Sequence, residues 1–440
     1  MRRLSRRRTA RVVHRARDVK KNNRSDASRP EVDPATLGFR RQIRARAMTS
    51  AYRALAFAAH GYGAYLGDAF ERLRPPALPE RDLSGAECVV TGANQGIGFE
   101  VAGALVERGA RVHCVCRDEA RGRAAVEALN ARASRAGRGR GRAELHACDL
   151  SSLAQTRRFV ERYTASGRAL HALVCNAGAM VHERGNTSEG FERNFAVNTL
   201  GTHVLVAGLR PVLGRTAQGD ANLEGEGGYY APRVVVVSSA GMMTEPLEVK
   251  DLEMRRTKKF DGVKQYARGK RHQTAMMERW ARLELENVGE ERVKSGRGYV
   301  GYYSMHPGWV ATTGVANALP KFYASMAGKL RTTAQGADTI LYLLTAGTED
   351  LQPGAFYFDR APVAKHITCG FTRYEPKQVD ALVSKLDALQ AEGSVRSEKN
   401  LLKASGSFTK GSATKDASTK DASPSSETKT KRSNPSWNIR

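Results

Sequence analysis

The sequence predicts an α/β domain built on a doubly wound parallel sheet of about seven strands. Three observations carry this. From about residue 84 to residue 375, short apolar runs alternate with helical stretches, the pattern of a parallel sheet with helices on both faces. The runs are continuously apolar rather than alternating, as strands buried on both faces require. The first run passes through a glycine-rich turn directly into a helical pattern. The strands are predicted at 86–91, 111–116, 143–148, 170–175, 233–238, 299–305 and 354–358. Segments around 132–142 and 214–230, rich in Gly or Arg, read as surface loops.

Upstream, Tyr52, Leu55, Ala59, Tyr62, Leu66, Phe70 and Leu73 recur at spacings of three and four. This predicts an amphipathic helix within a segment 51–83 that ends in a linker after Arg74-Pro75-Pro76. Its stripe suits the protein's own core, or a peripheral membrane contact through 51–73. Downstream, Val379, Leu382, Val383, Leu386 and Leu389 predict a C-terminal helix over 376–391. The Ser/Thr/Lys-rich segment 392–440, with Thr-Lys-Asp-Ala-Ser at 414–418 and again at 419–423, cannot bury a core and is predicted to be disordered.

The chain has 440 residues and a formal charge of +26, from 71 basic and 45 acidic residues. Residues 1–50 hold a basic surplus of 12 and residues 391–440 a surplus of 5, which leaves +9 for everything between. The basicity therefore belongs to the ends. The first 24 residues, with nine Arg, two Lys and one Asp, read as an organellar transit peptide or a disordered basic arm. The expected location follows as mitochondrial or plastid in the first case and cytoplasmic in the second. No nucleic-acid motif accompanies the basic ends, so no specific nucleic-acid partner is expected. Cys88, Cys114, Cys116, Cys148 and Cys175 fall inside predicted strands and none of the six cysteines forms a CxxC pair. That usage fits a reducing compartment and small core side chains. No 18-residue apolar stretch occurs. The histidines show no metal-ligand spacing, and no metal is proposed.

The strand at Cys88-Val89-Val90 runs into Thr91-Gly92-Ala93-Asn94-Gln95-Gly96-Ile97-Gly98, and a helical pattern follows at once. Glycine there lets the backbone bend tightly and approach a pyrophosphate. The helix N-terminus behind it offers unpaired N–H groups and a partial positive charge. A dinucleotide is the expected ligand of such a Rossmann-type βαβ unit.

This loop resembles that of the short-chain dehydrogenase/reductase family, and further marks follow in the family's order over more than 200 residues. Cys148-Asp149-Leu150 resembles the acidic position that borders the adenine. Cys175-Asn176-Ala177-Gly178 resembles the Asn-Asn-Ala-Gly element, with Cys175 in place of its first Asn. Asn194 to Gly201 resembles the helix that carries the catalytic asparagine, here Asn198. Ser238-Ser239, Tyr266 with Lys270, and His306-Pro307-Gly308-Trp309-Val310 complete the set. The run from Gly109 to Asp118 is similar to the retinol-dehydrogenase-like branch. The resemblance covers roughly residues 50–390 and neither basic end.

The resemblance implies a nicotinamide-dependent enzyme that moves a hydride between the cofactor and a small-molecule carbonyl or alcohol. Its catalytic residues would be Asn198, Ser239, Tyr266 and Lys270. The cofactor would lie against Gly92, Asn94, Gln95, Gly96, Ile97, Gly98, Arg117, Asp149, Leu150, Asn176, Ala177, Gly178, Tyr266 and Lys270, and against Pro307, Gly308, Val310 and Thr312. Ser239 would polarise the substrate oxygen, Lys270 would hold the nicotinamide ribose, and Asn198 would support a water-linked proton relay. Homo-oligomerisation is compatible with this reading.

The residues themselves explain part of it. Tyr266 is the only one of 14 tyrosines with a lysine four residues on. On a helix that spacing puts the two on one face. A free phenol with a pKa near 10 needs roughly 4 kcal/mol of anion stabilisation to reach about 7, and a nearby ammonium acts in that direction. At the end of the second strand, Cys116 stands where NAD enzymes usually place an acid, and Arg117 follows. This predicts NADP as cofactor, with NAD as the alternative. Met242, Met243, Ala318, Leu319, Phe322, Tyr323 and Met326 are the apolar candidates to line the cleft for a lipophilic substrate. The rival reading is a catalytically idle NADP-binding scaffold; the complete set of four catalytic candidates argues against it.

Overall fold

The computed structural model describes residues 65–408, apart from 74, 138–139, 220–230, 296 and 368–370. The arm at 1–50, the stripe residues Tyr52 to Tyr62 and the repeat at 414–423 lie outside the described residues. The elements are α1 (Gly67–Leu73), β1 (Glu87–Thr91), α2 (Gly96–Glu107), β2 (Arg111–Cys116), α3 (Glu119–Arg135), β3 (Arg142–Ala147), α4 (Leu153–Ala165) and β4 (Ala172–Cys175). A short turn at Arg193–Phe195 and a π-helical stretch at Ala196–Gly201 then lead into α5 (Thr202–Gly219), β5 (Arg233–Val237) and α6 (Gly262–Val288). A short helix at Glu290–Ser295 precedes β6 (Gly301–Met305), α7 (Thr313–Ala318), α8 (Pro320–Ser325), α9 (Thr333–Thr345), β7 (Phe356–Phe358), β8 (Ala361–Val363) and α10 (Pro376–Phe408).

The sheet order is β3-β2-β1-β4-β5-β6-β7-β8, parallel throughout except for the β7–β8 hairpin. All seven predicted strands are present, with ends within two residues of expectation. The eighth, β8, was missed because Pro362 lies in it and all three of its residues are exposed. Alternate residues of the strands feed opposite cores, so Val89, Leu173 and Val234 join Phe195 and Trp280 on one face. Val90, Val174 and Val235 join Leu105 and Ile340 on the other. Both faces being buried, the strands read as unbroken apolar runs. The strand order reverses between β1 and β4, and the crevice beyond their carboxyl ends is where ligands of such sheets bind.

The ends of the domain are held by their apolar stripes. Tyr65 and Phe70 are buried, with the Tyr65 ring 4.8 Å from His306 and 5.2 Å from Phe358. Tyr65 lies outside the predicted stripe; of the stripe itself Phe70 is buried, Leu66 half-buried and Leu73 exposed. At the other end Val379, Leu382, Val383 and Leu386 of α10 are buried as predicted, and Arg279 and Arg282 of α6 both bond Asp380. The α10 helix continues to Phe408, past the predicted end at 391. No helix among the described residues is long and apolar enough to cross a membrane.

Candidate active site

The glycine loop between β1 and α2 adopts the conformation its sequence anticipates. Gly92 and Gly96 have φ of +67° and +59°, which side-chain-bearing residues rarely adopt. A Cβ on Gly98 would lie 2.4 Å from both the Gly92 carbonyl oxygen and Asn176 Nδ2, so only glycine lets α2 start this close to the loop. Helices α3, α4 and α6 are capped by side chains of Asp118, Ser152 and Asp261. Gln95, at the corresponding place before α2, caps nothing, and the first turn holds no acid. Uncapped N–H groups behind a glycine cradle fit the pyrophosphate of a dinucleotide.

The loop after β4 is tied to this cradle through Thr91. Its Oγ1 accepts from the backbone N–H groups of Asn176 and Ala177, both at 3.0 Å. Asn176 Nδ2 returns a bond of 2.9 Å to the Thr91 carbonyl. The amide of Asn176 therefore fixes the two loops to each other. Asp149 follows β3, half-buried, with its Oδ1 accepting from the Ser151 N–H at 2.9 Å, and Leu150 beside it is buried. Arg117 stands exposed at the end of β2. Cys116 before it is buried against the backbone N–H groups of Ala93 and Asn94, and burial pushes its thiol up to about 11.

The loop after β6 closes the other side. Gly308 has φ +80° and lies against Arg331, whose buried guanidinium forms a two-pronged ion pair with Asp359 at 2.5 and 2.9 Å. Pro307 is half-buried and Val310 buried, the latter bridging to Arg331 in the backbone. Thr312 caps α7, and a Cβ on Gly96 would touch its methyl at 3.4 Å. The cradle and the β6 loop thus meet.

The four catalytic candidates come together at the carboxyl ends of β4 and β5. Tyr266 and Lys270 lie one turn apart on α6, with Lys270 Nζ 5.4 Å from the Tyr266 ring centroid. Ser239 lies beside the Tyr266 hydroxyl, close enough to favour its ionised form. Ser239 is half-buried, whereas Ser238 is buried and donates to the Lys270 carbonyl at 2.9 Å. One serine faces the site; its neighbour holds the helix. Lys270 is buried and its Nζ donates to the Val237 carbonyl at 2.7 Å. Asn198 lies in the π-helical stretch and is also buried. Its Nδ2 donates to the Ala179 carbonyl at 2.7 Å and its Oδ1 accepts from the Ala179 N–H at 3.0 Å. Gly178 fits between them, since a Cβ there would be 3.1 Å from Asn198 Oδ1 and 3.3 Å from Lys270 Nζ.

Two features of the site bear on the expectations. Lys270 and an oxidised nicotinamide were expected to pull the phenol down; within the chain itself burial pushes Tyr266 up to about 12, against a smaller opposing effect from Ser239. Burial also lowers Lys270 to about 8. Loss of water disfavours both ions, and the lysine's bond goes to a backbone carbonyl instead of the phenol. Second, Met242 and Met243 do not line an open cleft. They follow Ser239 in a tight 3₁₀ turn and are buried against Phe356 and Ile367. Ala318, Leu319, Phe322, Tyr323 and Met326 remain half-exposed on α7, α8 and their flanks.

Sequence reasoning missed several contributors. The carbonyl of Val237 and the backbone of Ala179 hold the candidates without carrying any motif of their own, and Thr91, quoted as part of the glycine loop, was given no role in holding the β4 loop. His182, in the loop after β4, bonds the Ala318 carbonyl at 2.5 Å and so links that loop to α7. A separate cavity of about 980 Å³ opens at the β7–β8 edge, lined by Phe356, Ile367 and Phe371 among others, and includes none of the site residues.

A dinucleotide cradle at a sheet switch point, beside a Ser–Tyr–Lys cluster, defines an oxidoreductase of the nicotinamide-binding α/β class. The chain belongs to the short-chain dehydrogenase/reductase family and acts on CH–OH or carbonyl groups with NAD(P). The family model for short chain dehydrogenase matches residues 87–222. The chain is 36% identical to human dehydrogenase/reductase SDR family member 12 over 349 residues, covering 77% of this chain and 98% of that one. Mouse retinol dehydrogenase 12 is 31% identical over 281 residues, covering 63% of this chain and 78% of its own length. Among solved structures, an uncharacterized protein from Mycobacterium paratuberculosis superposes with a TM-score of 0.50 at 23% identity, over 71% of this chain and 96% of that one. That likeness concerns the fold.

Proposed function

We propose that the protein is an NADP-dependent carbonyl reductase of a lipophilic substrate, with Tyr266 as its proton donor. The convergence of Ser239, Tyr266 and Lys270 beside the cofactor cradle carries this reading. Bound NADP supplies the hydride acceptor or donor, and in its oxidised form a positive ring. Ser239 donates to the substrate oxygen and orients it toward the Tyr266 hydroxyl. Tyr266 then gives its proton to the oxygen as negative charge develops there. A neutral phenol is the form that protonates the substrate oxygen when the reaction runs as a reduction, and the Lys270 ammonium beside the ring favours the phenolate left behind. Lys270 and Asn198 hold the floor of the site, through Val237 and Ala179.

The choice of NADP rests on Arg117, exposed at the end of β2, with no acid in the neighbouring place occupied by Cys116. The lipophilic substrate rests on the half-exposed apolar residues of α7 and α8. It is in keeping with the name of the retinol dehydrogenase relative. A nicotinamide-fluorescence screen against lipophilic aldehydes, ketones and alcohols tests the reading. NADP binding without turnover across the panel would favour the idle scaffold.

A further inference from the structure

Away from the cradle, the sheet carries a cluster of titratable side chains on the face that α4 covers. His113 of β2 pairs in register with Glu144 of β3, and Val115 with His146. Side chains two apart share a face, so His113, Glu144 and His146 stand together. The α4 helix covers them, with Tyr163 and Phe159 set edge-on to His113 and His146 at 5.0 and 5.2 Å. His113 is buried, and Glu144 and His146 are half-buried at the β3 edge of the sheet.

We propose that His113, Glu144 and His146 form a site for a Zn²⁺-class ion. The ligand atoms are His113 Nδ1, His146 Nε2 and a Glu144 carboxylate oxygen, with water in the fourth position. Glu87 Oε2 lies 2.7 Å from His113 Nε2. A carboxylate only accepts, so Nε2 carries the hydrogen, and in neutral His113 the Nδ1 lone pair is free to bind. That lone pair faces His146 Nε2 at 2.9 Å. Without a metal, that lone pair accepts a hydrogen bond from the Nε2–H tautomer of neutral His146; with the hydrogen moved to His146 Nδ1, two lone pairs face each other and a metal ion would bridge them.

The spacing suits the metal. Zn–N bonds of about 2.0–2.1 Å at a tetrahedral angle set ligand atoms roughly 3.3 Å apart. The two distances from His113 Nδ1 bracket that value, 2.9 Å to His146 and 3.9 Å to a Glu144 oxygen. All three donors lie within 4.8 Å of one another. The widest pair must close by up to about 1.5 Å to complete a tetrahedral set, a movement that side-chain rotation of half-buried Glu144 and His146 supplies. Glu87 supplies the carboxylate that orients a metal-bound imidazole from behind.

The charges select the ion. Arg111 bonds Glu144 at 2.5 Å and Arg168 bonds Glu87 at 2.9 Å, so both carboxylates are already compensated. Ca²⁺ and Mg²⁺ require several free oxygens, whereas imidazole suits Zn²⁺, Cu²⁺ and Ni²⁺. Two histidines and one carboxylate leave an open coordination position. His113 pairs with Val89 of β1 and lies three residues before the end of its own strand, so the site is roughly 10 Å from the cofactor loop. It clamps the β2–β3 edge independently of the chemistry at Tyr266.

The test is titration of the metal-free full chain with Zn²⁺ by calorimetry, alongside Co²⁺ followed by its visible d–d bands. The expected result is one ion per chain with a tetrahedral Co²⁺ spectrum. His146→Gln and Glu144→Gln, both at half-buried positions, should each weaken binding at least tenfold while NADP affinity is unchanged. Absence of stoichiometric uptake overturns the proposal. So does an octahedral Co²⁺ spectrum, or uptake that neither substitution reduces, which would assign the ion to other histidines.

Discussion

Asn198 grips Ala179 at both ends of one peptide residue, donating to its carbonyl at 2.7 Å and accepting from its N–H at 3.0 Å. The asparagine amide thereby acts as a splint between the π-helical stretch and the loop that follows β4. π-Helical turns of this kind are frequent at functional sites. Here the turn brings a buried amide to a loop whose neighbour, Gly178, lies against Lys270.

Asn198→Ala should therefore loosen the loop before it affects any proton. Loss of the two bonds should cost about 1–3 kcal/mol of stability, read as a lower melting temperature. NADP affinity should fall as well, since Gly178 and Ala179 lose their anchor. An unchanged melting temperature together with unchanged affinity would show that the splint is idle.

Arg117→Ala should weaken NADP about tenfold and leave NAD almost untouched. One charge-assisted hydrogen bond to a 2′-phosphate accounts for a loss of that size. Calorimetry with both cofactors on both proteins gives the comparison. A parallel loss for NAD would mean that Arg117 supports the loop and does not read the phosphate.

Most of the frame was legible because its signals are local. The strands announce themselves as apolar runs, and Gly92, Gly96 and Gly98 mark a turn that only glycine can make. Tyr266 and Lys270 needed only helical spacing. What escaped depends on where separate segments cross. The pairing of Lys270 with the Val237 carbonyl, and of Asn198 with Ala179, depends on loop paths that no periodicity encodes. Met242 and Met243 looked like lining residues by their place after Ser239, yet the 3₁₀ turn sends them into a core with Phe356 and Ile367. His113 and His146 are 33 positions apart and share no motif, so only the β2–β3 register brings them together.

Acid should destabilise the fold through buried neutral histidines. Burial holds His272 and His366 down to about 4 and His306 to about 3, against an ordinary value near 6.5. Between pH 6.5 and 4 the unfolded chain binds protons that the folded chain refuses, so stability rises with pH across that window and is lost as pH falls. Each such histidine contributes up to about 1.36 kcal/mol per pH unit. His272 accepts or donates only to Thr199 Oγ1 and the Glu248 carbonyl, contacts a glutamine amide can reproduce in part. In His272→Gln the slope of unfolding free energy against pH should drop by about one proton in this window. An unaltered slope would mean that His272 takes up its proton while folded.

The proton-transfer assignment makes the sharpest demand. Tyr266→Phe removes one hydroxyl and keeps the ring over which Lys270 Nζ sits at 5.4 Å, so the fold and NADP affinity should survive. General acid assistance is typically worth about 10²–10⁴ in rate, and the carbonyl-reduction rate should fall by at least that much. Lys270→Ala is a different lesion. It removes a buried ammonium bonded to the Val237 carbonyl at 2.7 Å and leaves that oxygen unpaired beside Gly178. Turnover and cofactor affinity should decline together, with a measurable loss of stability. The pH profile separates the two further. With a phenol at about 12 as the acid and Lys270 lowered to about 8, wild-type reduction should be level through neutrality, lose the contribution of the Lys270 ammonium above about pH 8, and fall further as the phenol ionises in strong alkali. The position of that fall with NADPH bound then reports how far the bound cofactor moves the phenol. If Tyr266→Phe retains more than about a tenth of the wild-type rate, which lies below the range for a lost general acid, the proton comes from another group. Ser239, which lies beside Tyr266, would be the group to test next.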